Sequence, residues 1–526
     1  MTITHVQLGG ELTGRSIFGG NRNKIEWWGL GVSVALIVIL QVVFMQYWWT
    51  LLISAVLLAL SVFVWTPYAM FGYTSVVGML GRRWRWTRHR RQGFLDFAGS
   101  MAATLPAEEG QAAPAHLPVA LGRMRFFEIE LWPGHADPGR VLIVRHRRHD
   151  ETTYSAVFEF RARQAGIQDQ VDGLRNHTGW ARFQASLARQ GSLVRYIQQV
   201  SRIVPYDAAD HVDWLIHELP ENAPEMLVRS YAELVDGIIS DLEQNRTWLA
   251  VGIPQTAEFS AAWNRVILPN EEDLSKDEAS DERLRSVLAA QLRMVISRGR
   301  AVGMAFRPLD EARFAAVCRS MQDPDEPLDR IEDADRFSMW LPWNASESRT
   351  YMKVQGGINE WLTKTAIVPR DGFSPGRLPV DQLVPLLTGI SPAVIRTIST
   401  HATLVSAVQA RAEARQDVTT DRASILGSTK EVSDGTSEAQ IAASQQRLDD
   451  LQPGSGVHGA EWAMALTIQA RTLDDLEMAT NRIEEAAADA NINILAWQDN
   501  AHHLAMPMTL PLVTGVQRRR KRGLVR

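Results

Sequence analysis

Thiol chemistry is nearly missing from this chain. A single cysteine, Cys318, in 526 residues excludes an intrachain disulfide and any four-thiolate zinc or iron–sulfur site. Lysine is almost as scarce, with six lysines against 49 arginines, a bias that reads as genome composition rather than nucleic-acid recognition. The six lysines also decide a point of chemistry. A P-loop needs glycine before its lysine and a hydroxyl after it. Lys24, Lys276, Lys353, Lys364, Lys430 and Lys521 instead follow Asn23, Ser275, Met352, Thr363, Thr429 and Arg520. The chain has no Walker A motif. A Gly-rich dinucleotide fingerprint, HExxH, GxSxG and paired-cysteine motifs are missing too. The sequence therefore offers no catalytic residue, no metal set and no cofactor site, and it is expected not to be an enzyme.

Charge is the next absence. From Trp27 to Gly81 there are 55 consecutive positions without a charged side chain. Residues 27–44 (WWGLGVSVALIVILQVVF) and 48–65 (WWTLLISAVLLALSVFVW) form two apolar runs, each near the length that a transmembrane helix needs. One helix over 27–65 would rise about 58 Å, roughly twice the hydrocarbon thickness, so two crossings with a turn at Met45-Gln46-Tyr47 are predicted. Trp27, Trp28, Tyr47, Trp48, Trp49, Trp65 and Tyr68 stand at the ends of the spans, where their rings favour the headgroup layer. Arg15, Arg22 and Lys24 precede the run, Arg82, Arg83, Arg85, Arg88, Arg90 and Arg91 follow it, and the turn carries no positive charge. Both termini and the main body are thus expected on the cytoplasmic side of the cell (inner) membrane. The run is too long for a cleaved signal peptide. The stretch RRWRWTRHRR (82–91) suits a polybasic contact with membrane lipid, nucleic acid being the weaker alternative.

The net charge of −5 is a cancellation. Residues 1–91 carry net +7, the tail 518–526 carries +6 through Arg518, Arg519, Arg520, Lys521, Arg522 and Arg526, and residues 92–517 carry −18. So acidic a body repels DNA, and any nucleic-acid contact belongs to the basic ends.

The expected organisation is a cytoplasmic segment (1–25), the helical hairpin (26–68), a basic segment and linker (69–117) and an α/β domain (118–265). A helical segment with acidic loops (266–345), an α+β domain with a polar insertion at 426–457 (346–515) and a basic tail (516–526) follow. Residues 102–117 read as the linker. Strands are expected at 124–131, 140–145, 153–160 and 247–253 from their β-branched and aromatic content. Helices are expected over 168–204 and around 225–246, where Leu227, Tyr231, Leu234, Val235, Ile238 and Leu242 repeat at helical spacing, and again from Leu284 to Val295. Residues 268–282 read as an acidic loop. The run DPDEPLDRIEDAD (323–335) has seven acidic residues in thirteen and lacks the glycine of a calcium loop, so it reads as a solvated linker. Polar residues 400–457 suggest a long helix broken by an exposed loop. At the C-terminal end, Met464, Leu466 and Ile468 mark a strand, Thr472 and Asp475 a capped helix start, 492–497 a second strand and 504–512 a third. Strand, helix and strand in that order predict a parallel pair in a small ferredoxin-like unit of an α+β body. Cys318 reads as a core thiol, His458 and Glu461 as surface-loop residues rather than metal ligands, and His502 and His503 as strand neighbours pointing to opposite faces.

The stretch EWAMALTIQARTLDDLEMATNRIEEAAADANINILAWQDNAHHLAMPMTLPL (461–512) resembles the close of the N-terminal domain of the VirB/TrbE/CagE family of conjugative type IV secretion ATPases, with Leu510, Pro511 and Leu512 matching a Leu-Pro-Leu segment. Residues 349–405 resemble the middle of that domain through Val368-Pro369-Arg370, Leu386-Leu387 and Arg396-Thr397. The hairpin is similar to the small membrane subunit that partners that ATPase, and the whole resembles an actinobacterial family of integral membrane proteins of conjugative elements. In the ATPase family a RecA-like motor follows the Leu-Pro-Leu segment; here 14 residues follow Leu512. The resemblance implies a non-catalytic scaffold and docking subunit whose partners are membrane lipid, a separate secretion ATPase, other secretion subunits and other copies of itself. A type VII secretion membrane subunit and a membrane-bound enzyme with an unrecognised site are the alternatives.

Overall fold

The computed structural model describes residues 5–8, 24–43, 47, 49–68, 74–98, 117–118, 121, 124–148, 151–161, 170–189, 191–206, 217–218, 223–239, 242–268, 271–326, 328, 334–336, 338–340, 344–368, 372–373, 376–379, 381–426, 442, 445–452, 458–493 and 495–514. The 102–117 linker, except its last residue, the core of the polar insertion and the basic tail lie outside them.

The N-terminal part holds strand β1 (His5–Leu8), helices α1 (Lys24–Val43) and α2 (Trp49–Trp65), a two-stranded ribbon of β2 (Pro67–Tyr68) and β3 (Thr74–Ser75), then helix α3 (Val76–Arg91) and strand β4 (Asp96–Ala98). Helices α1 and α2 pack on each other and replace the two expected spans almost residue for residue. At 17 residues α2 rises about 26 Å, at the lower limit of about 17–25 residues for a spanning helix. Among the described residues no helix is long and apolar enough to cross a membrane.

The body is a mixed α+β fold on one large antiparallel sheet. Its first strands, β5 (Met124–Glu130), β6 (Arg140–Arg148) and β7 (Glu151–Arg161), form a meander close to the expected limits. Helix α4 (Gln170–Leu187), strand β8 (Tyr196–Pro205), helix α5 (Glu225–Ile239) and strand β9 (Glu243–Pro254) follow. The expected helix over 168–204 is thus corrected: its second half is a strand. Ile197, Val200 and Ile203 sit three apart, as on a helix face, but β8 is a central strand buried on both sides, so its hydrophobic residues need not alternate. The helix expected to reach 246 likewise stops at Ile239, and β9 begins at Glu243.

Next come α6 (Ala257–Asn264), α7 (Lys276–Ala301), β10 (Ala305–Pro308) and α8 (Glu311–Gln322). The acidic stretch 268–282 is only partly loop, because Ser275 and Glu278 close a capping box and Asp277 and Glu278 face the positive end of α7. One face of α7 buries Val287, Leu288, Leu292 and Val295, and Gly299 gives the Phe306 ring room that a Cβ would fill. The remaining elements are β11 (Asn344–Glu347), β12 (Met352–Gln355), β13 (Glu360–Val368), β14 (Gly376–Pro379), α9 (Val384–Leu387), β15 (Ile395–Val405), α10 (Ala407–Leu426), β16 (Gly459–Ala470), α11 (Leu473–Asp489), β17 (Ala496–Trp497) and α12 (His502–Ala505). The broken helix expected from 400 therefore starts only at Ala407, after the end of β15.

Strand order in the large sheet is β4-β11-β12-β13-β16-β15-β8-β9-β7-β6-β5, with β10 on β7 and β17 on β13; β1 and β14 form a separate pair. β8 pairs with β15 through Tyr196–Ile203 and Thr403–Arg396, so the sheet runs unbroken from the 118–265 stretch into the 346–515 stretch. β16 and β17 run the same way, joined through α11, but they are not neighbours. β13 lies between them, antiparallel to both, which corrects the expected adjacent pair. The second expected strand shrinks to Ala496–Trp497, and the third, 504–512, is absent: short helical turns stand there instead.

One face of the sheet buries two apolar layers. Phe158, Ile197, Leu249 and Val251 pack under α4, α6 and α7, and Ile203, Ile398, Leu466 and Ile468 pack under α9 and α11. Each fully buried Leu, Ile or Phe side chain contributes about 1.5–3 kcal/mol. The opposite face is apolar under α8, where Val144, Val157, Val200 and Trp248 meet Phe314, Val317 and Cys318, and again at the far edge, where Phe97, Ala345, Met352 and Val354 are buried. Between them, on β8, β15, β16 and β13, that face is polar.

Candidate functional site

The site begins at the hairpin. Several polar groups of α1 and α2 bond within the pair: Ser33 donates to the Gly29 carbonyl at 2.8 Å, Trp65 Nε1 donates to Ser33 Oγ at 3.1 Å, and Ser54 donates to Gln41 at 2.8 Å. Gly29 lets the Trp65 ring lie against α1, where a Cβ would collide with it. The outer surface is a different matter. Val32, Leu36, Ile39, Leu51, Leu52, Val56, Leu60 and Phe63 are all exposed, Leu36 at 60% and Val56 at 67%.

Of the expected interface aromatics, Trp27 lies in α1, Trp28 is exposed, and Tyr47 and Trp49 are exposed with ring centres 5.6 Å apart at the start of α2. Trp65 turns inward instead, and Tyr68 belongs to the ribbon, opposite Thr74. Trp48 lies outside the described residues. The expected juxtamembrane basic segment is helical. Ser75 caps α3 by accepting from Gly78 N, and Arg88, Arg90 and Arg91 in its last turn favour the negative end of the helix dipole. Arg83, Arg85, Arg88, Arg90 and Arg91 are exposed, whereas Arg82 is half-buried; that burial lowers its pKa, opposed by nearby Asp499. Arg518, Arg519, Arg520, Lys521 and Arg522 lie outside the described residues.

A second constellation escaped the sequence reading: a buried polar stripe on β8, β15, β16 and β13 that grips the C-terminal segment. Gln198 Nε2 donates to Ser399 Oγ, to the Met508 carbonyl and to the Leu510 carbonyl, while its Oε1 accepts from Val513 N at 2.6 Å. His401 Nε2 lies 2.8 Å from the Met508 carbonyl, and burial depresses its pKa to about 4. Thr365, Thr467 and Thr509 join hydroxyl to hydroxyl at 3.0 and 2.9 Å. Deeper along the stripe, Arg202 donates to Thr397 and to Gln469, and burial lowers its pKa to about 9. Alternation of polar and apolar residues in these strands signals a solvated face by default, so the stripe could not be told from a wet surface without its cover.

Glu347 ties this clasp to the hairpin side. Its carboxylate is closed to solvent and accepts the backbone N–H groups of His502 and His503, each at 2.7 Å, with His503 Nδ1 at 2.9 Å. The backbone N–H groups of both histidines meet one carboxylate because they open a helix rather than a strand, while their rings part: His502 Nδ1 accepts from Thr365 N at 3.1 Å and the His503 ring stays on Glu347. Phe97 of β4 lies 5.7 Å from the His503 ring, and the Glu347 backbone N–H bonds the Leu95 carbonyl just beyond α3.

The acidic run at 323–335 is docked, not a solvated linker, in its described first part. Asp323 is buried and accepts from Gly357 N. Asp325 accepts from Asn359, Trp361 and Arg471, and Glu326 pairs with Arg319 at 2.6 Å. Hydrogen bonds to neutral donors, with Arg471 and Arg319 as counter-charges, replace the solvation that composition implied. His458 Nδ1 accepts from Ala407 N at the start of α10, and Cys318 is buried, its thiol pKa raised by burial. A groove of about 500 Å³ between β5 and α7 is lined by Glu128, Glu130, Arg140, Arg285 and Arg293; Arg140 pairs with Glu130 at 3.6 Å, and Arg285 and Arg293 donate to the Glu128 and Leu131 carbonyls. Among the described residues no group of three or more His, Cys, Asp or Glu is placed to hold a metal ion. No protein-family model matches the chain, and neither does any curated protein.

Proposed function

We propose that this protein is a non-catalytic scaffold and docking subunit of a conjugative, type IV-like secretion apparatus, seated in the cell membrane by its hairpin and recruiting a separate ATPase. The observation that carries the membrane seat is the uncovered apolar surface of α1 and α2. Leaving apolar area in water costs about 25 cal/mol per Å², and soluble monomers rarely expose contiguous apolar patches beyond a few hundred Å². Lipid removes that cost. The hairpin brings its two ends to one side, which supports a body and termini on the cytoplasmic face. The docking role rests on the resemblance of 349–405 and 461–512 to the non-motor domain of the secretion ATPases. The split arrangement of β16, α11 and β17 about β13 supports a ferredoxin-like reading of that C-terminal unit.

The test is fractionation followed by affinity capture from washed membranes. The full chain should stay in the membrane pellet through salt and alkaline carbonate washes and bring an ATPase down with it. Recovery in the soluble fraction overturns the membrane seat, and washed membranes that yield the chain without any ATPase overturn the docking role.

A further inference from the structure

The structure sorts the six arginines of α3. Arg82 turns toward the body, half-buried near Asp499. The other five are exposed, and no ion pair joins them to a carboxylate among the described residues; α3 itself contains no acidic residue. Two of them are ordered by tryptophan. The Arg88 guanidinium lies 5.7 Å from the Trp84 ring centre and that of Arg90 lies 5.1 Å from Trp86, both at i,i+4 spacing. Trp84 is itself 62% exposed and shares a helix face with Arg88 and Arg91. α3 also packs against α2, whose outer surface is apolar.

We propose that α3 is a headgroup-binding helix for anionic phospholipids, with Arg83, Arg85, Arg88, Arg90 and Arg91 as the phosphate contacts and Trp84 as the aromatic that settles into the interface. This rests on the membrane seat of the hairpin and names the lipid class it selects. A guanidinium suits phosphate because its fork of N–H donors matches two phosphate oxygens, and stacking on an indole holds the fork without an acidic partner that would compete. Packing on α2 holds the helix beside the segment that the hairpin places in the bilayer, and charges that reach the headgroups within a screening length of about 10 Å act at ordinary ionic strength. A soluble polyanion has no such advantage, since the acidic body repels it. Arg82 is excluded from the contact set, a sorting that the sequence alone could not make.

The experiment uses the full chain, released from detergent into vesicles of phosphatidylcholine alone or of phosphatidylcholine with phosphatidylglycerol, and measures partition between the two by flotation. The wild type should prefer the anionic vesicles, and the preference should shrink as salt rises. Each exposed arginine changed to glutamine should lower the preference by up to about fivefold, equivalent to about 1 kcal/mol per charge. The variant with all five changed should still float with both vesicle types but without preference, while Arg82→Gln should keep it. Equal flotation of the wild type with both vesicles overturns the lipid selectivity and leaves the membrane seat standing. Flotation with neither removes the membrane seat as well. Loss of the anionic preference on adding a short DNA duplex at matched phosphate concentration overturns it in favour of nucleic acid.

Discussion

Arg396 and Glu243, 153 positions apart, form a two-pronged ion pair closed to solvent: the two terminal guanidinium nitrogens meet the two carboxylate oxygens, Nη2 donating to Oε2 at 2.9 Å. Arg396 Nε also donates to the Leu386 carbonyl, and Glu243 accepts from Gly389 N, so the starts of β9 and β15 and the end of α9 meet at one point. Removing one partner leaves an uncompensated buried charge, which costs about 3–5 kcal/mol. Glu243→Ala should destabilise the body by that amount in denaturant unfolding. Glu243→Gln with Arg396→Met together should cost much less, because no charge is stranded; equal losses would show that the pair is not the source.

The Gln198 amide makes four hydrogen bonds, three of them to the backbone of residues 508–513. Gln198→Leu keeps the volume but strips the Val513 N–H of its acceptor, at about 1–3 kcal/mol for that buried group, while the Met508 carbonyl keeps His401 and the Leu510 carbonyl keeps Leu512 N. The expected result is selective loosening of the segment after Met508, read as faster amide exchange at Leu510 and Val513 while β13 and β16 stay protected.

His401 gives the fold an acid limit. Its folded pKa of about 4 lies below the ordinary 6.5 because burial disfavours the charged ring. The unfolded chain therefore binds the extra proton between these values, and the contribution of the neutral ring is complete above pH 6.5 and is lost as pH falls toward 4. The shift corresponds to about 3 kcal/mol at its limit. His401→Gln should flatten the fall in stability between pH 6.5 and 4 relative to wild type, and a difference profile without slope there would sink the assignment.

Cys318 sits in the core under β8 and β9, and burial raises its thiol pKa, so little thiolate is present at neutral pH. Alkylation in native buffer should be slow and should rise with denaturant in step with global unfolding. Fast native labelling would mean that α8 opens locally.

The candidate surface was legible because its signals are local. Fifty-five uncharged residues, aromatic ends and flanking arginines identify the hairpin without any partner, and the strands β5 to β7 are legible because each pairs with its chain neighbour. Reading failed where neighbours in space are far apart in sequence. β8 lost its alternation because β9 and β15 flank it and both its faces are covered; residues 504–512 looked like a strand because a buried apolar segment needs backbone partners, and here Gln198 and His401 side chains supply them instead.

Sequence alone determined the apolar hairpin, its basic flanks, the capped start of α11 and the buried fate of Cys318, since each depends on residues within a turn or two or on hydropathy. Tertiary structure decided the strand order, the place of β13 between β16 and β17, the pairing of Asp325 with Arg471 and its hydrogen bond from Trp361, and which arginine of α3 turns inward. The reason is that hydrogen bonds and ion pairs between distant segments leave no periodic trace in either partner; only the folded chain brings donor and acceptor together.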